Sequence, residues 1–84
     1  MTNNITKKRK FVYILQYYIG DNEWEGTERF TDMEEVEKAG LEYLKKFFEI
    51  FKWLYNKEEV ATLTENFTTE WEAENIIRVK TMFI

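Results

Sequence analysis

Residues 31–55, TDMEEVEKAGLEYLKKFFEIFKWLY, decide the fold. Thr31 followed by Glu34 has capping-box spacing, a hydroxyl at the N-cap and a carboxylate three residues on. Asp32, Glu34, Glu35 and Glu37 load the first turns with negative charge, and Lys45, Lys46, Lys52 and Lys57 come later. That order suits a helix dipole. With Met33 at zero and about 100° per residue, Val36, Gly40, Leu44, Phe47, Phe48, Phe51, Leu54 and Tyr55 gather within about 60° of one direction. The pattern predicts one long amphipathic helix over 32–55, roughly 36 Å in length, with this stripe facing a core. Gly40 sits inside the stripe and reads as a point of close packing against an aromatic strand.

On the N-terminal side, residues 10–19 (KFVYILQYYI) alternate. Phe11, Tyr13, Leu15, Tyr17 and Ile19 fall on one strand face, and Val12, Ile14 and Tyr18 on the other. Two apolar faces predict a central strand, or one whose second face meets a partner. Gly20-Asp21-Asn22-Glu23 has turn chemistry, and residues 24–30 alternate again to complete a hairpin. On the C-terminal side the period changes past Asn56. Segments 60–67 and 69–73 read as Thr-rich strands, with a short helix from Thr68-Thr69 as the alternative. Residues 76–84 (IIRVKTMFI) form a clearer strand, with Ile77, Val79 and Phe83 on one face. The expected fold class is α+β. An antiparallel sheet of about four strands (β-β-α-β-β) would carry one long amphipathic helix on one face. Residues 1–9 read as a flexible basic tail, and 10–84 as a single domain.

Composition narrows the chemistry. Hydrophobic residues make up 44% and aromatics 18% of 84 residues, enough to give a chain of this size a core. Cysteine and histidine are absent. Their absence removes disulfides, thiolate and imidazole metal sites, and Ser-His or Cys-His nucleophiles. Carboxylates, Lys, Tyr and hydroxyls remain for acid–base work, so a carboxylate pair is the residual catalytic option. The reading is non-enzymatic, with no catalytic residue, metal site or cofactor assigned. Asp21, Asn22, Glu23, Glu25, Gly26 and Asp32 loosely match a calcium-loop spacing. Glutamates stand where such loops use Asp or Asn, and a strand precedes the segment where a helix belongs. No apolar run approaches the ~18–20 residues of a membrane span, and the basic start lacks a signal-peptide cleavage site. The expected compartment is the cytoplasm, with no membrane partner.

Charge is segregated. Residues 21–37 hold eight acids and one base, Arg29, and residues 58–74 hold six acids and no base. Outside the basic run Lys7-Lys8-Arg9-Lys10, residues 11–84 carry sixteen acids against eight bases, a net charge of −8. Such a surface either keeps a small protein soluble or meets a basic surface on another protein. It disfavours direct nucleic-acid binding. Trp53 lies near 200° on the same helical wheel, among Glu35, Glu42, Lys46 and Glu49. A Trp on a polar helix face is an anchor candidate. Trp24 and Trp71, each flanked by carboxylates on the alternate face, read as core. The candidate partner-binding set is Asp21, Glu23, Glu25, Glu28, Glu35, Glu42, Glu49 and Trp53.

In small size, acidity, absence of His and Cys, and AT-rich residue usage, the chain resembles the anti-defence proteins of phages, anti-CRISPR inhibitors among them. The resemblance is one of class and not of motif. It implies steric or nucleic-acid-mimicking blockade of a host nuclease or CRISPR effector, within a bacterial host cytoplasm. The alternative is a homodimeric structural or antitoxin-like interaction module, joined through the two-faced strand 11–19 and Trp53.

Overall fold

The computed structural model describes residues 11–83. The expected tail, residues 1–9, lies outside the described residues. Over the described residues the fold is α+β: a five-stranded antiparallel sheet with two helices. Strand β1 (Phe11–Gly20) is central. On one edge it pairs with β2 (Glu23–Glu25) and β3 (Arg29–Phe30), and on the other with β5 (Ile77–Phe83), which in turn pairs with β4 (Glu72–Ala73). The β1–β5 ladder runs in continuous register from Phe11 opposite Phe83 to Tyr17 opposite Ile77. This ladder is what makes β1 the spine of the sheet.

Helix α1 (Met33–Ile50) and helix α2 (Lys57–Glu70) build one core against the face carrying Tyr13, Leu15, Tyr17, Ile77 and Val79. Its fully buried centre is Leu15, Val36, Leu44, Phe67 and Ile77. The opposite face of β1 carries Val12, Ile14, Gln16 and Tyr18, all outside that core.

Four local expectations are corrected. First, the N-cap of α1 is Asp32, whose Oδ1 accepts the Glu34 N–H at 2.8 Å, and not Thr31. Asp serves at an N-cap as well as a hydroxyl does. Second, α1 ends at Ile50 and not near 55. No Gly or Pro marks this stop. The turn 51–54 instead folds Tyr55 back, so that its ring meets Phe48 at 5.1 Å and Phe47 at 5.9 Å.

Third, residues 57–70 are helical where strands were expected over 60–67. Asn56 and Glu59 form a reciprocal capping box: Asn56 Oδ1 accepts the Glu59 N–H at 2.8 Å, and Glu59 Oε1 accepts the Asn56 N–H at 2.9 Å. Val60, Leu63 and Phe67 then face the core at helical spacing. Trp71 caps the C-terminus at φ 62°, and its N–H reaches back to the Phe67 carbonyl.

Fourth, Gly40 does pack closely, but against the ring of Phe67 on α2 and not against a strand. The second strand of the hairpin is also split. Trp24 and Glu25 pair with β1 one residue out of register with Glu23 on one side and Arg29–Phe30 on the other. The ladder therefore shifts between Tyr18 and Gly20 and again over 26–28, where one extra residue is accommodated. Gly26 sits there at φ 141°, where a Cβ would run into the Leu15 carbonyl oxygen. The result is a glycine bulge.

Candidate functional site

Helix α1 runs alongside β1 in the same direction. Phe30, just before the helix, pairs with Tyr13 near the start of β1, and ten residues into α1 the Tyr43 ring lies 4.4 Å from Tyr17. The end of α1 and the β1–β2 turn therefore project at the same end of the molecule. The turn is Asp21-Asn22, both at positive φ (54° and 60°), the condition of a type I′ hairpin. The Tyr18 hydroxyl holds it by accepting the Asn22 N–H at 3.0 Å.

At the same end, Phe47, Phe48, Phe51 and Tyr55 form a chain of ring contacts that anchors the turn after α1. What that turn leaves outside is apolar. Ile50 is 60%, Trp53 73% and Leu54 59% exposed. Trp53 stands beyond the last helical residue, 6.3 Å from Phe51 at its ring centroid. The expectation that it lies on the polar face of α1 is thus corrected: it is displayed by a turn, because the helix stops earlier.

All eight sequence-predicted residues are exposed. Asp21 and Glu23 lie at the hairpin tip, at the end that carries Trp53. Glu25 pairs with Tyr17 on the helix side of the edge strand, and Glu28 lies close enough to raise the Tyr17 pKa. Burial is the larger cause of that rise, with Glu28 and then Tyr43 adding to it. Burial likewise raises Tyr43. Glu35 stands in the first turn of α1, at the other end. Glu42 and Glu49 share one surface recess with Lys45 and Lys46, so that part of the outer helix face is charge-balanced. The structure therefore brings Asp21, Glu23 and Trp53 to one end and leaves Glu35 apart.

Trp24 corrects another expectation. Its carboxylate neighbours do occupy the alternate face, but that face is the helix side; the Trp24 ring lies on the helix-free face, opposite Tyr18. It meets Tyr18 edge-on at 5.2 Å, and the Arg78 guanidinium lies 4.2 Å above its centroid. Arg78 Nε also donates to Gln16 Oε1 at 2.8 Å. Gln16, a polar residue in an apolar strand, was the one sequence signal for this cluster. Trp71, by contrast, packs against the core as expected.

Among the described residues no helix is long and apolar enough to cross a membrane. Among them too, no group of three or more acidic side chains is placed to hold a metal ion. The displayed chemistry is an apolar, aromatic turn at the end of the molecule that also carries the hairpin carboxylates Asp21 and Glu23. Comparison with protein-family models, curated proteins and solved structures finds no match to this chain.

Proposed function

We propose that this chain is a non-enzymatic protein-binding inhibitor that sets Trp53 and the hairpin carboxylates against a basic surface of a nucleic-acid-handling protein. This is the manner of phage anti-defence, anti-CRISPR-like proteins. The observation that carries the reading is the exposure of Trp53, 73%, between exposed Ile50 and Leu54. Burying such a ring on association removes enough apolar surface to contribute about 3–5 kcal/mol before ordering costs. Trp is among the residues that dominate binding hot spots. Asp21 and Glu23 at the same end would steer a basic partner and compete there with phosphate.

The test is a pull-down against purified basic nucleases and CRISPR effectors, with Trp53→Ala and Asp21→Lys/Glu23→Lys variants alongside. Capture lost in both variants supports the reading. No capture by any of these targets, or capture indifferent to both variants, overturns it.

The same exposed apolar turn favours a second reading, a homodimeric interaction module in which two copies bury Ile50, Trp53 and Leu54 together. Light scattering separates the two: a strict monomer at micromolar concentration excludes the dimer.

A further inference from the structure

A trough lies between α1 and α2, away from the hairpin edge. Leu41, Leu44, Phe48 and Val60 line a recess of about 450 Å³. A second recess of about 360 Å³ shares Phe48, Val60 and Lys52 with it and continues to Tyr55 and Ala61. The two therefore form one elongated, apolar-floored groove along the helix pair. Leu41 and Val60 are only half-buried, so the floor still meets water.

The rim is basic. Lys45 and Lys52 line it from the α1 side and Lys57 from the start of α2, while Glu49 is the sole acid among the described lining residues of either recess. Lys45 and Glu49 also border the charge-balanced recess on the outer face, which leaves Lys52 and Lys57 as the bases belonging to this groove alone. Three of the eight bases in residues 11–84 thus converge on one apolar groove, in a segment of net charge −8. Local helix electrostatics do not account for all of them. Lys57 is the first residue of α2, the positive end of that helix dipole, where a base is disfavoured. Lysine stems can line apolar surface while their ammonium groups stay free for an anion.

We infer that this groove receives an acidic amphipathic helix of a partner protein. Lys45 stands on α1, Lys52 in the turn after it and Lys57 at the start of α2, so positive charge follows the length of the groove and suits a docked helix flanked by carboxylates. Leucine-like side chains at i, i+3, i+4 and i+7 would sit on the floor, the usual way a helix fills such a groove. A basic segment is repelled by the rim. The groove reaches the turn after α1 at Lys52 and Tyr55, but Ile50, Trp53 and Leu54 are not among its described lining residues, and it does not depend on the reading given above.

The test uses the full chain and a synthetic peptide of about fourteen residues, the length of α2. It carries a leucine stripe flanked by glutamates; a lysine-flanked counterpart and a scrambled version are the controls. The acidic peptide should shift the amide resonances of Leu41, Val60 and Thr64 and bind about tenfold or more tightly than the lysine peptide. Lys45→Glu/Lys52→Glu should reverse that preference, single Lys→Gln changes should each weaken the acidic peptide, and Trp53→Ala should leave it unaffected. Equal binding of the acidic, lysine-flanked and scrambled peptides overturns the inference. So do resonance shifts that map elsewhere, and so does filling of the groove by dodecanoate with no response to the peptide.

Discussion

The ring of Phe67 occupies the space that a side chain on Gly40 would need, so the two helices meet at the one α1 position with no Cβ. Replacing Gly40 by alanine would gain about 1 kcal/mol of helix propensity. Forcing a methyl into the Phe67 ring costs about 1–3 kcal/mol by overpacking. We expect Gly40→Ala to be net destabilising, read as a lower urea midpoint. Pairing it with Phe67→Leu should recover part of the loss, and a stabilised single variant would contradict the packing described here.

Gly26 makes a separate demand, both conformational and volumetric, and against backbone in place of a side chain. At φ 141°, with the Leu15 carbonyl against it, no L side chain fits without moving β1. Gly26→Ala should therefore destabilise by about 1–3 kcal/mol, with its amide-exchange effects concentrated in β2 and β3.

Alkaline titration reports on the Tyr17–Tyr43 contact. Both hydroxyls have pKa values raised above the ordinary 10.0, chiefly by burial, and for Tyr17 also by Glu28. A tyrosine with a raised folded-state pKa holds its proton more tightly folded than unfolded. Its contribution is fully present below pH 10 and is lost as pH rises through the folded value. Stability should therefore fall above about pH 10. Tyrosinate absorbance should show a late-titrating fraction that Tyr17→Phe reduces, and Glu28→Gln should move that fraction to lower pH.

The capping box of α2 gives the sharpest local test. Asn56→Ala removes an acceptor from the Glu59 N–H and should cost about 1 kcal/mol of stability. Glu59→Ala should cost less, because it leaves the Asn56 side-chain bond in place. Equal losses would show that the reciprocal bond to the Asn56 N–H matters as much.

Trp53→Ala should leave stability within about 0.5 kcal/mol of wild type, since its ring is mostly in water. A larger loss on thermal unfolding would mean that the ring supports the turn after α1, and partner assays with this variant would then need the milder Trp53→Phe.

The periodic signals were legible wherever period and position agreed. The stripe from Val36 to Phe48 specified an amphipathic helix, and alternation over 11–19 and 77–83 specified the two long strands that pair. The missed helix was legible too, in Asn56…Glu59 followed by Val60, Leu63 and Phe67. Its threonines, which favour strands, outweighed a cap signal that two hydrogen bonds make good.

Other features were not in the sequence at all. Alternation separates Trp24 from Glu23 and Glu25 but cannot say which face is core. That was settled by pairing with β1, which puts Tyr18 and Trp24 on the helix-free face. Nothing between 50 and 55 breaks a helix. The helix stops where Tyr55 folds back onto Phe47 and Phe48, ring packing across a turn of four residues that no helix breaker in the sequence signals. By itself, then, the sequence determined the class of fold, the inner face of α1, the central strand and the acidic hairpin, because these follow from residue period and charge. The tertiary structure alone decided that Trp53 is displayed on a turn and that three lysines border one groove, because both depend on where α2 turns back against α1.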